Sequence, residues 1–275
     1  MNASDKKEHH TGVQKREDVS MTNLFIATAS REKCSKREIQ LILEKTDPKK
    51  WIIAKETGRG GFKHWQIRVK CSGDLFEECT KACLNWHIEK STEWSDYERK
   101  EANFWTSDDS TQNLIDRYGK PRDEQKRVLQ LLESTNNRQI VLWVNEEGNV
   151  GKSWLGRHLW ETGKAHYTRF TGRDADSIVK DTCSKMEHSR RPIMVIDIPK
   201  SSEWSNKVYE AIEVIKDGLI DDPRYSASTI NISGVKVLVT SNSHPKYKAL
   251  SKDRWILYTR PDGATNKKED RGQQP

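Results

Sequence analysis

Long hydrophobic runs are missing from this chain. No stretch approaches the ~20 apolar residues a membrane-spanning helix needs, and mean hydropathy is −0.92, which excludes an integral membrane protein. Cysteine is scarce and poorly spaced. The five (Cys34, Cys71, Cys79, Cys83, Cys183) form an odd set without a CxxC pair, which argues for thiols in a reducing compartment rather than disulfides or zinc. Cys79 and Cys83, four apart, read as small core residues of a helix. Neither sign of charge dominates: 48 Lys and Arg face 41 Asp and Glu, leaving +7. That modest, scattered excess is compatible with nucleic acid without demanding it. Apolar residues make up only 33%, yet ten Trp, seven Tyr and five Phe supply anchors for compact cores, so wholesale disorder is excluded. The length of 275 residues suits about two domains.

Residues 1–21 are polar and aperiodic. They read as a disordered arm rather than a secretory signal, with His9 and His10 carrying no pattern. From Asn23 the signals sharpen. NLFIATA predicts a strand, and SKREIQLILEK a helix opened by a capping box of Ser35 and Glu38. KKWIIAKE, the turn GRGG and the alternating HWQIRVKC predict a hairpin. LFEECTKACLNWH predicts a helix, SDYERKEA another with a capping box of Ser95 and Glu98, and FWTS a short strand. This pattern fits an α+β domain over 22–115. Gly119 and Pro121 then mark a linking helical segment over 116–135. Over 136–260, strand-like QIVLWV, RPIMVIDI and VKVLVTS alternate with helical stretches, as in an α/β domain with a buried parallel sheet. Residues 261–275 read as a flexible tail, and no internal repeat is present.

Two constellations carry chemistry. Alternation in HWQIRVK puts His64, Gln66, Arg68 and Lys70 on one face, with Glu56 across the hairpin turn. Imidazole, amide oxygen and carboxylate together suit an open Mg²⁺ or Mn²⁺ site, although from these three residues alone a plain polar, solvated sheet face is the better reading. Tyr97 and Lys100, three apart, share a helical face. A tyrosine hydroxyl with its ordinary pKa near ~10 is a poor nucleophile unaided; a divalent ion polarising a phosphate makes its attack feasible, with the lysine orienting the ion or neutralising charge.

In this order, ATA, HWQ and YERK resemble the three motifs of HUH-type endonucleases. They are closer still to those of the replication-associated proteins (Reps) of circular single-stranded DNA viruses, whose second motif is His-x-Gln. WIIAKETGRGGFKHWQIRVK and EWSDYERKEANF look most like smacovirus Reps. The resemblance implies a metal held by Glu56, His64 and Gln66, a nucleophile at Tyr97 and support from Lys100. FIATAS departs from the commoner first motif, and its residues stay unassigned.

The second constellation is QIVLWVNEEGNVGKSWLGRHL, a strand, a loop and GKS opening a helix. Backbone N–H groups of such a loop cradle phosphates, with Lys152 reaching the β and γ phosphates of ATP and Ser153 ligating Mg²⁺. The first glycine of the usual pattern is Glu146 here, and Gly148 and Gly151 supply the flexibility. Asp197 ends an apolar strand where an Mg²⁺-holding carboxylate is expected, but Ile198 follows in place of a second acid. Asn242 ends another strand and reads either as a γ-phosphate sensor or as a strand-end turn. Arg254 reads either as a finger on a neighbour's nucleotide or as a salt-bridged surface arginine. Lys152, Asp197, Asn242 and Arg254 in this order resemble superfamily 3 helicases. EVIKDGLIDDPRYS resembles their DNA-contacting region, with Lys216 the candidate contact.

Together the resemblances imply an antiparallel HUH endonuclease domain with flanking helices, joined to an AAA+-type P-loop helicase domain. They imply a rolling-circle initiator that nicks and rejoins single-stranded DNA through a 5′-phosphotyrosine, its partners being origin stem-loop DNA, further copies in a hexameric ring and host replication machinery. The expected location is the nucleus of a eukaryotic host or the cytoplasm of a prokaryotic one. An RNA-directed viral ATPase is the rival that a DNA-nicking assay excludes. A catalytically inactive origin-binding relic is the other, and intact Tyr97, Lys152 and Asp197 argue against it.

Overall fold

The computed structural model describes residues 22–171, 175–221 and 229–259. The arm, the tail and part of the DNA-contacting region named above lie outside the described residues. Two five-stranded sheets organise the rest. The first is antiparallel and built from β1 (Asn23–Ser30), β2 (Pro48–Thr57), β3 (Lys63–Cys71), β4 (His87–Lys90) and β5 (Phe104–Thr106), in the order β4-β1-β3-β2-β5. Helix α1 (Lys36–Lys45) starts at the expected capping box: Ser35 accepts from the Glu38 N–H, and Glu38 accepts from the Ser35 N–H. Such a cap is worth ~1 kcal/mol. α1 and the short α2 (Leu75–Lys81) cover one sheet face, burying Phe25, Ile39, Leu43, Ile67 and Val69. The opposite face carries only a small cluster of Ile52, Ala54, Phe104 and Trp94. It is the face that His64 and Gln66 share.

Two expected helices differ. α2 stops after Lys81, and Cys83, with φ of 53°, lies exposed beyond it instead of in the core. The segment around Tyr97 forms a single 3₁₀ turn, Tyr97–Arg99, rather than an α-helix. Glu98 does not cap Ser95; it is buried against Arg68, which outcompetes an exposed cap.

α3 (Thr111–Tyr118) and α4 (Asp123–Ser134) lead to the second sheet. Its strands are β6 (Ile140–Val144), β7 (Ala165–Arg169), β8 (Ile193–Ile198), β11 (Lys236–Ser241) and β12 (Trp255–Thr259), all parallel, in the order β12-β6-β11-β8-β7. β9 (Leu219–Asp221) and β10 (Thr229–Asn231) pair as a separate hairpin. Both faces of the parallel sheet are buried, which explains its continuous apolar runs. Val141, Trp143, Val195 and Leu238 meet α4 and α5 (Lys152–Glu161). Ile140, Leu142, Ile196 and Val239 meet α6 (Asp176–His188) and α7 (Asn206–Asp217) on the other side. Among the described residues no helix is long and apolar enough to cross a membrane.

Candidate functional site

Cross-strand register builds the first site. Glu56 on β2 lies directly opposite His64 on β3, and Gln66 follows on the same face, paired with Ala54 and Thr28. His64 directs Nδ1 at the Phe62 carbonyl, 3.2 Å away, and its Nε2 stands 3.6 Å from Glu56 Oε2. With Nδ1–H donated, Nε2 carries the lone pair, the tautomer a metal ligand requires. The Thr28 hydroxyl donates to Gln66 Oε1 at 3.0 Å and fixes that amide. Glu56 is buried, and its Oε1 has no hydrogen-bond partner. A buried carboxylate oxygen left unpaired is costly unless a cation or donor completes it. The donor set of carboxylate, imidazole and amide oxygen therefore fits a small divalent ion, although no cluster of three or more His, Cys, Asp or Glu with metal-binding spacing occurs among the described residues.

The tyrosine comes from the 3₁₀ turn. Three residues per turn eclipse i and i+3, so Tyr97 and Lys100 face the same way more strictly than in an α-helix. Lys100 Nζ lies 2.7 Å from Glu56 Oε2 and 3.6 Å from the centre of the Tyr97 ring. Burial works against its charge, but hydrogen bonds to Glu56 and Tyr97 outweigh that and raise its pKa above the ordinary value. Tyr97 itself is 54% exposed, open to a polymeric substrate. The turn is pinned from beneath: Arg68 Nε donates to Glu98 Oε1 at 3.0 Å and its Nη1 to the Glu93 carbonyl at 3.0 Å. Desolvation pushes the Glu98 carboxyl up despite Arg68 beside it.

The second site is made of backbone. Gly148, Asn149 and Gly151 have φ of 75°, 54° and 88°, and α5 begins at Lys152. Gly148 donates its N–H to Asn145 Oδ1 at 2.8 Å, and the left-handed positions deliver the chain to the start of α5, where the first N–H groups of a helix can meet an anion. Lys152 is buried, donates to the Asn145 carbonyl at 3.0 Å, and has its pKa lowered by desolvation against the opposing pull of Asp197 and Glu124. Ser153 follows, exposed. β11 lies between β6 and β8, which sets Asn242 against the loop: its Nδ2 lies 3.5 Å from where a side chain on Gly148 would begin. Asp197 on β8 accepts from Tyr167 Oη at 2.8 Å, Arg169 Nε at 2.9 Å and Thr240 Oγ1 at 2.8 Å.

No family model matches this sequence. Individual proteins do. The chain is 28% identical over 131 residues to the master replication protein of subterranean clover stunt virus, covering 47% of this chain and 42% of that protein. It is 30% identical over 129 residues to the master replication protein of faba bean necrotic yellows virus, covering 46% and 41%. To Para-Rep C10 of the milk vetch dwarf C10 alphasatellite it is 29% identical over 136 residues, covering 48% and 46%. Over the matched part the chain is similar to replication proteins of circular single-stranded DNA viruses. The matches span a little under half the length of these relatives.

Two residues expected to serve a Rep-type motor sit elsewhere. Lys216 is not a surface contact: it is buried, donates to the Val235 carbonyl at 3.0 Å, and is pushed down to about 8 by desolvation, with Lys236 and Arg254 adding to the shift. Arg254 is held within its own chain. It is buried and paired with Asp217 at 2.9 Å and Glu213 at 3.0 Å from α7. Conversely, Thr28, the Arg68–Glu98 pair, and Tyr167 and Thr240 around Asp197 were not singled out. The alternation of HWQIRVK placed Arg68 on the site face, and Thr28 is the lone polar residue of ATA, so both left a trace in the sequence.

Proposed function

We propose that this chain is a Rep-type initiator of rolling-circle replication that nicks and rejoins single-stranded DNA through Tyr97. The observation that carries this reading is an exposed tyrosine fixed on a turn whose Lys100 touches the carboxylate paired with His64. Tyr97 Oη would attack the scissile phosphorus, its proton passing to water. The P–O3′ bond breaks, and the leaving 3′ oxygen takes up a proton. DNA is left joined to Tyr97 by its 5′ phosphate, with a free 3′ hydroxyl to prime synthesis; the reverse attack rejoins the strand. Lys100 supplies positive charge beside the phenolic oxygen and holds Glu56. Glu56, His64 and Gln66 would hold Mg²⁺ or Mn²⁺, whose chemistry there is Lewis-acid polarisation of the phosphate.

The parallel-sheet half supports an ATP-hydrolysing reading, with the 148–153 loop and Lys152 holding phosphates, Ser153 and Asp197 toward Mg²⁺, and Asn242 toward the γ-phosphate. Coupled to it would be translocation on DNA by a ring of chains alongside host replication machinery, in the nucleus of a eukaryotic host or the cytoplasm of a prokaryote.

The test is a denaturing gel for covalent adducts between the full chain and short 3′-labelled single-stranded oligonucleotides tiling the cognate genome. The wild type forms a labelled adduct, and Tyr97→Phe loses it by about 10³-fold or more while retaining DNA binding. Adduct formation at the normal rate in Tyr97→Phe would falsify the assignment.

A further inference from the structure

The turn that carries Tyr97 is held by the other half of the molecule as well as by its own sheet. Arg99, two residues on, donates from Nη1 to Glu161 Oε2 at 3.2 Å. Arg117 of α3 converges on the same oxygen, from Nε at 3.0 Å and Nη2 at 2.9 Å. Glu161 is the last residue of α5, the helix whose first residues are Lys152 and Ser153. The Arg99 guanidinium lies 4.5 Å from the ring centre of Trp160 and 4.8 Å from that of Phe104, sandwiched between the two halves. Asp96, just before Tyr97, meets Arg191 at 3.9 Å, and Arg191 itself bonds the Trp160 and Ala165 carbonyls. Gly163, with φ of 69°, passes so close that a side chain there would come within 2.5 Å of the Arg99 carbonyl and 3.2 Å of the Lys100 Cα.

These contacts are more than a general domain interface. They fall on residues 96, 99 and 100, bracketing the tyrosine; Glu161 ends α5, Gly163 follows it and Arg191 is tied to it through the Trp160 carbonyl, while the other end of that helix adjoins the phosphate loop. A helix is stiff along its axis, so a shift at its start is delivered to its end. Glu161 is buried, Arg99 is half-buried, and their bond belongs to a shared charge network in which Asp96 also holds Arg99 and Arg117 also holds Glu161, so a change at Glu161 is felt at Arg99.

Resting on the nicking reading above, we propose that Arg99 and Glu161 are positioning residues for Tyr97, and that α5 makes the placement of the tyrosine depend on whether phosphate is bound at Lys152. The nucleophile is aimed jointly by Arg68 from the antiparallel sheet and by Glu161 from the nucleotide-binding half. Nucleotide at the loop then alters the rate of strand cleavage even on DNA that needs no unwinding.

The experiment uses the full chain with 3-fluorotyrosine at position 97, read by fluorine NMR, and single-turnover adduct formation on the tiled single-stranded oligonucleotides. In the wild type, a non-hydrolysable ATP analogue should shift the Tyr97 resonance and change the adduct rate. Glu161→Gln keeps the shape but not the charge. It should abolish that shift and lower the adduct rate by about 10-fold or more at unchanged oligonucleotide affinity, since ångström-scale misplacement costs up to ~10² in rate. Arg99→Lys, which keeps charge and loses the fork, should fall between the two. If Glu161→Gln fails to fold, the lysine variant carries the same comparison. A Tyr97 signal that ignores the analogue in the wild type overturns the proposal, as does a Glu161→Gln or Arg99→Lys protein that cleaves and responds like wild type. The nicking reading fails separately, by adduct formation that survives Tyr97→Phe.

Discussion

Around Glu56 the chemistry is carried by side chains standing on a sheet, whereas around Lys152 it is carried by backbone at the mouth of a helix. The first site owes its geometry to strand register: Glu56 faces His64 because β2 and β3 pair there, and a one-residue slip would send both away. The second owes its geometry to φ angles that few side chains tolerate, at Gly148, Asn149 and Gly151. A side-chain site loses one function with one atom group. A backbone site survives many substitutions outside its few special positions, and the key side chain, Lys152, is buried to aim it rather than to pack.

The sharpest way to press this contrast is at Lys152. Lys152→Ala should reduce ATP hydrolysis by about 10²–10³-fold, the usual loss for one charge-stabilising donor, yet leave nucleotide-free cleavage of single-stranded oligonucleotide unchanged. Loss of both activities in a folded protein would mean the sites are not separate. On the other side, His64→Ala should raise the Mn²⁺ concentration needed for half-maximal adduct formation by about 10–100-fold, as expected when a metal site loses part of its ligation. A metal titration identical to wild type would remove His64 from the ligand set.

Smaller effects separate structural cations from working ones. Arg254→Ala should cost about 1–2 kcal/mol of stability, measured by urea unfolding, because Asp217 and Glu213 lose their partner. Arg254→Ala should otherwise keep ATP hydrolysis at the wild-type rate; a loss that mixing with Lys152→Ala protein restores in verified mixed assemblies would assign Arg254 the finger role. For Lys216 the sign follows from its depressed pKa of about 8 against the ordinary lysine value near ~10.4. Folding disfavours the protonated form, so its penalty is full below pH ~8 and disappears as pH rises towards ~10.4. Lys216→Met should therefore be more stable than wild type by about 1–2 kcal/mol near neutrality, with the gain shrinking through that window. A pH-independent difference would mean the ammonium is not desolvated.

Local pattern made the strands, the α1 cap and the parallel sheet legible, because alternation and capping are short-range signals. It also placed Glu56, His64 and Gln66 on one face and Lys152 at a helix start. What stayed hidden depended on partners distant in sequence. Ser95 and Glu98 have capping-box spacing, but Arg68, thirty residues earlier, offers Glu98 a buried charge instead. Lys216 and Arg254 look solvent-facing in sequence and are buried because the end of α7 meets the Val235 carbonyl through Lys216 and the segment before β12 through Arg254. Glu161 reads as an ordinary helix-end acid, and only the fold shows Arg99 and Arg117 meeting on one of its oxygens.

That shared oxygen bears on how such chains can diversify. Genomes that exchange segments would join the front of one chain to the back of another, and here the seam runs through three mutually dependent charges. A front half arriving with Arg99 and Arg117 is matched by a back half with an acid at the end of α5; a partner with a neutral residue there leaves Arg117 to Asp109 and Arg99 to Asp96 alone. Successful hybrids should therefore keep the acid and both arginines together or replace all three at once, so inheritance across the seam follows charge balance rather than the sheet boundary.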